Sequence, residues 1–232
     1  MRQHYRDIYR LRADDYQRLV AREDHRGALL PAIRAVHPLE GARVVELGAG
    51  TGRLTRLLAP WAAQIAAYDS SAAMLEVAAR ENEAHGVRNA TLAVAEHHAL
   101  PAEDHSADLV VEGWAFGHLM DQRDWRSAVD AALAEVDRIT RSGGVQLIIE
   151  TLGTGRTDPA PPSPALATLF EHLEALGFAR SWCRTDYRFD TLHEAEALVG
   201  FFFGEAMQAH LSPDPQPTLP ECTGLWSRTR AR

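Results

Sequence analysis

The arrangement of apolar residues between positions 43 and 150 constrains the fold of this 232-residue chain more than any other feature of its sequence. Short runs rich in β-branched and aliphatic residues alternate there with amphipathic segments. The pattern predicts strands at 43–47, 64–68, 91–95, 107–111 and 145–150, and helices at 51–58, 72–85 and 124–140. Because short connections join strands and helices in alternation, we expect an α/β fold with a parallel sheet and right-handed crossovers.

Further elements flank this alternation. Residues 1–37 have the three- and four-residue spacing of apolar side chains that is typical of amphipathic helices. A loop with four prolines ends the alternation at 153–164. The remaining pattern predicts a helix at 165–176, a strand at 178–189, a helix at 192–211 and a strand at 223–228.

The sequence Glu46-Leu47-Gly48-Ala49-Gly50-Thr51-Gly52 joins the first predicted strand to the first helix of the alternation. Glycines in such a turn let the backbone bend sharply and let a ligand approach main-chain N–H groups closely. A dinucleotide-binding fingerprint has its glycines spaced as GxGxxG, whereas Arg53 occupies the place of the third glycine here. An arginine at that place disfavours a nicotinamide-dependent oxidoreductase.

This strand, its acidic residue and the GxGxG spacing resemble the class I S-adenosylmethionine-dependent methyltransferases, in particular the small-molecule, type 11-like members. Other segments carry the resemblance further: Asp69 after the second strand, Glu96-His97 before Leu100-Pro101, 107–112 followed by a segment that ends in His118-Leu119, and 141–144 before the fifth strand. The resemblance implies S-adenosylmethionine as cofactor and S-adenosylhomocysteine as product. The implied cofactor-binding residues are Glu46, Gly48, Ala49, Gly50, Gly52, Asp69, Ser70, Glu96, His97, Glu112 and Gly113.

The same resemblance implies the architecture. It predicts a Rossmann-like, seven-stranded, mostly parallel sheet with helices on both faces and an antiparallel last strand. We expect one methyltransferase domain over 1–232, made of an N-terminal helical segment (1–37), a cofactor-binding core (42–150) and a C-terminal part (165–232) that holds a helical insert (192–211) between the last two strands.

Acceptor and catalytic residues are harder to read from the sequence, because methyl transfer needs a base only when the acceptor must lose a proton. His118 follows the fourth strand and is the predicted base, although a histidine that merely packs against the sheet fits the same position. Acceptor contacts are predicted for Tyr16, Arg22, Trp114 and Arg184, against the alternatives of core packing and surface ion pairs.

The composition excludes several functions. The chain has no lysine, so it has no residue for a Schiff base or for a phosphate-loop lysine. Its net charge of −8 argues against a nucleic-acid surface. Cys183 and Cys222 form no CxxC motif, and His97-His98 has no supporting ligand pattern, so no disulfide and no metal site are expected.

These observations together predict a methyltransferase that acts on a small-molecule acceptor, with no nucleic-acid or membrane partner. The first 40 residues have no long apolar run, which favours a cytoplasmic protein. The rings at 201–203 cannot all face one core, so one of them faces a pocket or a partner, and a homodimer is possible. A catalytically inactive cofactor-binding or scaffold protein, and an RNA or protein methyltransferase, remain as alternatives.

Overall fold

The computed structural model describes residues 3–213 and 215–231. Seven strands form one sheet in the order β3-β2-β1-β4-β5-β9-β6, and β7 pairs with β8 beside it. Strand β9 runs antiparallel to both of its neighbours, whereas the other paired strands of this sheet are parallel. The predicted seven-stranded sheet is therefore confirmed. The strands are β1 Arg43–Leu47, β2 Gln64–Asp69, β3 Ala90–Val94, β4 Ala107–Gly113, β5 Thr140–Thr154, β6 Ala179–Arg184, β7 Tyr187–Arg188, β8 Thr218–Leu219 and β9 Glu221–Thr229.

Helices cover both faces of the sheet, and several begin at the hydroxyl side chains that the sequence places before them. Ser71, Ser163 and Thr191 each accept a backbone N–H from the first turn that follows, which satisfies one of the otherwise unpaired donors there. The α-helices are α1 Gln3–Leu11, α2 Ala13–Val20, α3 Leu29–Val36, α4 Arg53–Leu58, α5 Ala72–Ala84, α6 Trp125–Ile139, α7 Pro164–Ala175 and α8 Leu192–Phe203. Two 3₁₀ helices span Phe116–Asp121 and Glu205–His210.

The hydrophobic core lies on the two faces of the central strands. Val45 and Val110 lie on the face covered by α6 and α7, and Val44 and Leu109 lie on the face covered by α3, α4 and α5. Because both faces are covered, β1 and β4 are buried almost throughout. This explains why their sequences read as continuous apolar runs.

The N-terminal helices and the C-terminal insert lie over the edge of the sheet where the parallel strands end. Helix α1 packs against α5, where Tyr9 and Tyr16 contact a small cluster that contains Met74. Ser71 fixes this contact by donating its hydroxyl to the carbonyl of Tyr9 at 2.9 Å. Helix α2 packs against α8, and Leu19 is buried there. The two flanking segments therefore cover the edge together.

The structure differs from the sequence expectations in the C-terminal third. The strand predicted at 178–189 is interrupted, because the carbonyls of Thr185 and Asp186 leave the sheet and accept N–H groups from the loop after α2. The helix predicted at 192–211 ends at Phe203, because Gly204 has a φ of +93° that a continuing helix does not allow. Strand β5 also begins five residues earlier than predicted.

Within residues 3–213 and 215–231, no helix has the length and apolarity needed to cross a membrane. The same residues contain no group of three or more histidine, cysteine or acidic side chains arranged to hold a metal ion.

Candidate active site

A cleft of about 960 Å³ opens at the carboxyl ends of β1, β4 and β5. Its walls come from the loop after β1, the segment after β4, the end of β5, the N-terminal helices and the C-terminal insert. In an open α/β sheet this edge is where ligands bind, because the strand order reverses between neighbouring strands there. We therefore take this cleft as the candidate active site.

The glycine-rich loop forms one wall of the cleft and has no room for side chains at its first glycine. A Cβ atom at Gly48 would lie 2.6 Å from the Cβ of Ala115, and its φ of +69° lies in the left-handed region. Gly50 donates its N–H to Oδ2 of Asp69 at 2.8 Å. The backbone itself therefore forms this surface of the cleft.

Asp69 ends β2 beside this loop. Its second oxygen accepts the N–H of Ser71 at 2.8 Å, and burial raises the pKa of the carboxyl from its usual value. Ser71 rather than Asp69 caps the following helix, and Ser70 is exposed between them. Asp69 therefore holds the glycine-rich loop against β2, as an acceptor of two backbone N–H groups.

Glu46 lies beneath the loop and is 1% exposed. Thr55 donates its hydroxyl to Oε2 of Glu46 at 2.6 Å, and burial raises the pKa of this carboxyl to about 7. A carboxyl with that pKa is close to half ionised at neutral pH. A nearby cation would favour its ionised form.

Glu96 and His97 lie on the other side of the glycine-rich loop. Glu96 is exposed. The ring of His97 meets Phe116 edge-on at 5.9 Å and lies 3.8 Å from the Cβ position of Gly48. Burial lowers the pKa of His97, so its imidazole is neutral at pH 7. The predicted adenine-side segment is therefore beside the loop, with a histidine ring facing it.

Glu112 has a different environment from the one its predicted role requires. Its Oε1 accepts the N–H groups of Ala115 at 2.5 Å and Phe116 at 2.9 Å, so its carboxyl closes its own loop and is absent from the cleft wall. Glu150 does line the cleft and accepts the N–H of Gly117 at 2.6 Å. Burial, and then repulsion from Glu150, raises the pKa of Glu112 well above its usual range.

The turn after β4 is backbone-strained at Trp114, which has a φ of +54° although it is not glycine. Its N–H bonds to the carbonyl of Ile149 at 2.8 Å, and its ring lies under the guanidinium of Arg53 at 4.8 Å. Trp114 and the preceding Gly113 line the cleft. Strain of this kind is typical of functional turns that their surroundings hold in place.

His118 lines the cleft at the start of the next turn. Its Nε2 lies 3.0 Å from the hydroxyl of Tyr9 on α1. Burial lowers the pKa of His118 to about 4, so the imidazole is neutral and able to accept a proton at physiological pH. The same burial raises the pKa of Tyr9, which therefore keeps its proton.

Of the four residues predicted to contact the acceptor, two lie in the cleft wall and two do not. Tyr16 and Trp114 line the cleft. Arg22 instead bonds to Asp190 and Glu194, each at 2.7 Å. Arg184 bonds to Asp186 at 2.8 Å. Neither arginine is part of the cleft wall, because neighbouring carboxylates hold both of them elsewhere.

Sequence reasoning missed a buried polar group on the wall opposite His118. Arg53 forms an ion pair with Glu23, which also accepts the hydroxyl of Tyr187 at 3.0 Å. Nη2 of Arg53 and Oγ1 of Thr51 are buried without a hydrogen-bond partner among the described residues. In the sequence, Arg53 stood out only because it replaces the third glycine of the dinucleotide-binding pattern. Its ion pair with Glu23 could not be predicted, because the two residues are 30 positions apart and no local pattern connects them.

The three aromatic rings at 201–203 have separate environments. Phe202 and Phe203 line the cleft, and the guanidinium of Arg12 lies 4.2 Å above the ring of Phe201. The predicted homodimer through this helix stays a prediction.

Comparison with known proteins agrees with this architecture. Residues 44–144 match a family model described as a methyltransferase domain. The chain is 33% identical over 108 residues to the uncharacterized protein YafE of Escherichia coli K12, covering 47% of this chain and 49% of that protein. It is 30% identical over 143 residues to the malonyl-[acyl-carrier protein] O-methyltransferase of Serratia marcescens, covering 62% and 50%. The chain thus spans about half the length of the curated relatives it matches.

Solved structures share the fold across nearly the whole chain. A complex of DhpI with SAH has a TM-score of 0.60 at 21% identity, covering 97% of this chain and 95% of that one. The YcgJ protein of Bacillus subtilis has a TM-score of 0.58 at 17% identity, covering 90% and 100%. At these identities the likeness concerns the fold.

Proposed function

We propose that this chain, which belongs to the class I S-adenosylmethionine-dependent methyltransferases, transfers a methyl group from that cofactor to a small-molecule acceptor. The observation that supports this most is the position of the glycine-rich loop, whose Gly48 and Gly50 line the cleft and which Asp69 holds at the edge of the sheet. Relatives named malonyl-[acyl-carrier protein] O-methyltransferase and demethylmenaquinone methyltransferase support an acceptor other than nucleic acid.

The residues around the loop fit the cofactor. A side chain at Gly48 would collide with Ala115, so only glycine lets the loop lie this close to the segment after β4. Among the described residues that line the cleft, Thr51 and Arg53 leave polar side-chain atoms unpaired. In this proposal Asp69 accepts the ribose hydroxyls, because two N–H groups occupy only part of its acceptor capacity. Arg53 and Thr51 bind the methionyl carboxylate, and Glu46 faces the methionyl ammonium.

Glu96 and His97 complete the proposed cofactor site on the adenine side, where the backbone and the His97 ring lie beside the loop. In this proposal Gly52, Gly113 and Glu112 support the shape of the site. Gly52 and Gly113 keep the loop and the end of β4 close to α4 and α5, since a Cβ at Gly113 would lie 2.6 Å from Leu54. Glu112 shapes the turn after β4 through its two backbone hydrogen bonds.

When bound, the cofactor supplies a methyl group on a positively charged sulfur. The protein then has to align the acceptor and exclude water. Helices α1 and α2 and the C-terminal insert close the cleft from above, which serves both needs. His118 takes the acceptor's proton when the acceptor must lose one, because its neutral imidazole faces the cleft and Tyr9 fixes its orientation.

Calorimetry with S-adenosylmethionine, S-adenosylhomocysteine and NAD tests the donor half of the proposal. We expect the two sulfur compounds to bind and NAD not to bind. A chain that binds neither sulfur compound would contradict the methyltransferase proposal, and tight binding of NAD would favour an oxidoreductase. A screen of small molecules with methyl-labelled cofactor then identifies the acceptor.

A pair of histidine variants tests the proposed base. His118→Gln keeps a polar partner for Tyr9 but cannot accept a proton at neutral pH, whereas His98→Gln changes an exposed histidine of the same chain. With an acceptor that must lose a proton, we expect kcat to fall about a hundredfold or more in the first variant and to stay unchanged in the second. Equal kcat values for both variants would remove His118 as a base.

A further inference from the structure

Glu221, the first residue of β9, carries a buried carboxylate that the proposed chemistry does not use. The residue is 2% exposed, yet it lines the cleft. Its Oε1 accepts the hydroxyl of Thr151 at 2.6 Å, whereas its Oε2 has no hydrogen-bond partner within the described part of the chain. A buried acceptor without a partner costs free energy unless a ligand or a water satisfies it.

The position of Glu221 in the sheet separates it from the glycine-rich loop. The order β1-β4-β5-β9 puts three strand spacings between the strand that carries the loop and the strand that carries Glu221. At roughly 4.8 Å for each spacing, the two lie about 14 Å apart along the edge of the sheet. Glu221 therefore lies away from the glycine-rich loop but within electrostatic range of Glu23 and Arg53, beside the end of the cleft proposed for the methionyl carboxylate.

The charge of the surrounding wall favours a cation. Four buried carboxyls line the cleft, on Glu23, Glu46, Glu150 and Glu221. Two of the described arginines line the same cleft: Arg53, which is half-buried and paired with Glu23, and Arg156, which is exposed. Among residues 3–213 and 215–231, neither Glu150 nor Glu221 forms an ion pair. Burial raises the pKa of Glu221 to about 8 and also raises the pKa of Glu150, so both carboxyls are partly protonated near neutral pH. A positively charged ligand beside them favours the ionised form.

Aromatic rings complete this part of the cleft. Tyr187 meets Phe203 edge-on at 5.9 Å, and Tyr5 meets Phe202 at 5.2 Å. All four residues line the cleft. Ring faces attract ammonium groups, and their apolar surface accommodates the carbon skeleton to which such a group is attached. Of these rings, Tyr187 lies within electrostatic range of Glu221. A carboxylate beside aromatic rings is a combination that recognises organic amines.

We infer that the methyl acceptor carries a protonated amine, which the free Oε2 of Glu221 binds while the surrounding aromatic rings enclose the rest of the molecule. This inference rests on the proposed function, since it names the class of acceptor for the same cleft. It differs from a neutral acceptor, because an alcohol and an ammonium group can both donate to Oε2, whereas only the ammonium group stabilises the ionised carboxyl.

The test uses three probes that share a phenyl ring and differ in the polar group: 2-phenylethylamine, 2-phenylethanol and 3-phenylpropionate. Each is titrated by calorimetry into the protein saturated with S-adenosylhomocysteine, at about pH 7.5. We expect the amine to bind at least about tenfold more tightly than the alcohol, a difference of about 1.4 kcal/mol, and the carboxylate to bind most weakly. Similar affinities for the amine and the alcohol would overturn the inference.

Two variants with the same change of net charge sharpen the result. Glu221→Gln removes the buried charge, and Glu171→Gln removes an exposed charge on α7. We expect only Glu221→Gln to abolish the preference for the amine, with the affinity for the alcohol unchanged. Equal effects of both variants would show attraction by the overall charge of the protein and would contradict the inference.

The outcomes separate this inference from the proposed function. If S-adenosylhomocysteine does not bind, the proposed function fails before any probe is added. If it binds and the amine has no advantage, only the amine inference fails. The probe series on the unmodified protein gives this answer even if Glu221→Gln does not fold.

Discussion

The substitution Gly48→Ala tests whether the glycine-rich loop is held as tightly as its contacts indicate. An alanine there would have its Cβ 2.6 Å from the Cβ of Ala115, and it would have to adopt a φ of +69°. The other contacts of this Cβ, with Gly113 and His97, lie at 3.4 and 3.8 Å and cost little. Two separable costs are therefore expected, one from the backbone and one from the contact with Ala115.

A second glycine of the chain measures the backbone cost alone. Gly41 has a φ of +72°, and a Cβ there would have no atom within 4 Å. Gly41→Ala should therefore lower the free energy of unfolding by about 1 kcal/mol, the cost of a left-handed alanine. Gly48→Ala carries a similar backbone cost and a further cost of about 1–3 kcal/mol for the forced contact. We expect a total of about 2–4 kcal/mol for Gly48→Ala.

Urea unfolding followed by circular dichroism measures these differences, and calorimetry with S-adenosylhomocysteine measures the site. Gly48→Ala should weaken ligand binding, whereas Gly41→Ala should leave it unchanged. The double variant Gly48→Ala with Ala115→Gly removes the contacting methyl group and should recover the contact cost. The reasoning is refuted if Gly41→Ala and Gly48→Ala destabilise the protein equally, or if removal of the Ala115 methyl recovers nothing.

Three further predictions follow from buried charges. Asp69→Ala should weaken binding of S-adenosylmethionine at least about tenfold, or about 1.4 kcal/mol, because the ribose acceptor and the support of Gly50 are both lost; unchanged affinity by calorimetry would contradict the assignment. Because burial lowers the pKa of His118 from 6.5 to about 4, the folded state resists protonation at this residue, and the contribution of His118 to stability should fall by about 3 kcal/mol between pH 6.5 and 4. In denaturant titrations at pH 6.5 and pH 4, the free energy of unfolding of His118→Gln should lack this contribution, and should therefore fall less than that of the unmodified protein. Arg53→Met should cost about 3–5 kcal/mol, because it leaves the Glu23 carboxyl buried without its cation, and a second change, Glu23→Gln, should recover most of this loss in the same unfolding assay.

The sequence predicted the sheet well wherever the signal is local. The strands at 43–47 and 64–68 and the helix at 72–85 lie within a residue or so of their observed bounds, because burial on two faces makes such strands continuously apolar and covering helices amphipathic. The helix predicted at 192–211 was extended too far, because its apolar spacing continues past Gly204. Gly204 is itself the local signal for this end, because a glycine readily adopts the positive φ at which a helix ends.

The positions of the glycine-rich loop and Asp69 at one edge of the sheet were also predictable, since they directly follow β1 and β2. Their contacts with the cofactor stay a prediction. The pairings of Arg22 and Arg184 were not predictable, because an arginine can pair with any carboxylate within reach of its long side chain. Asp190 and Asp186 are those partners in the fold. No spacing along the chain reveals such pairs.

The cleft is lined partly by residues within 44–144 and partly by residues outside that stretch. This difference explains why similar proteins indicate the methyl donor but not the acceptor. The match to the methyltransferase family model ends at residue 144, and the loop and Asp69 lie within it. Tyr5, Glu23 and Glu221 lie outside it, and the fold brings them to the same cleft from both ends of the chain. A relative that shares only the matched stretch shares the residues that we propose to hold the methyl donor. The charge and shape that select the acceptor are set by the flanking segments, so the carboxylate of Glu221 is a better guide to the acceptor than the names of those relatives.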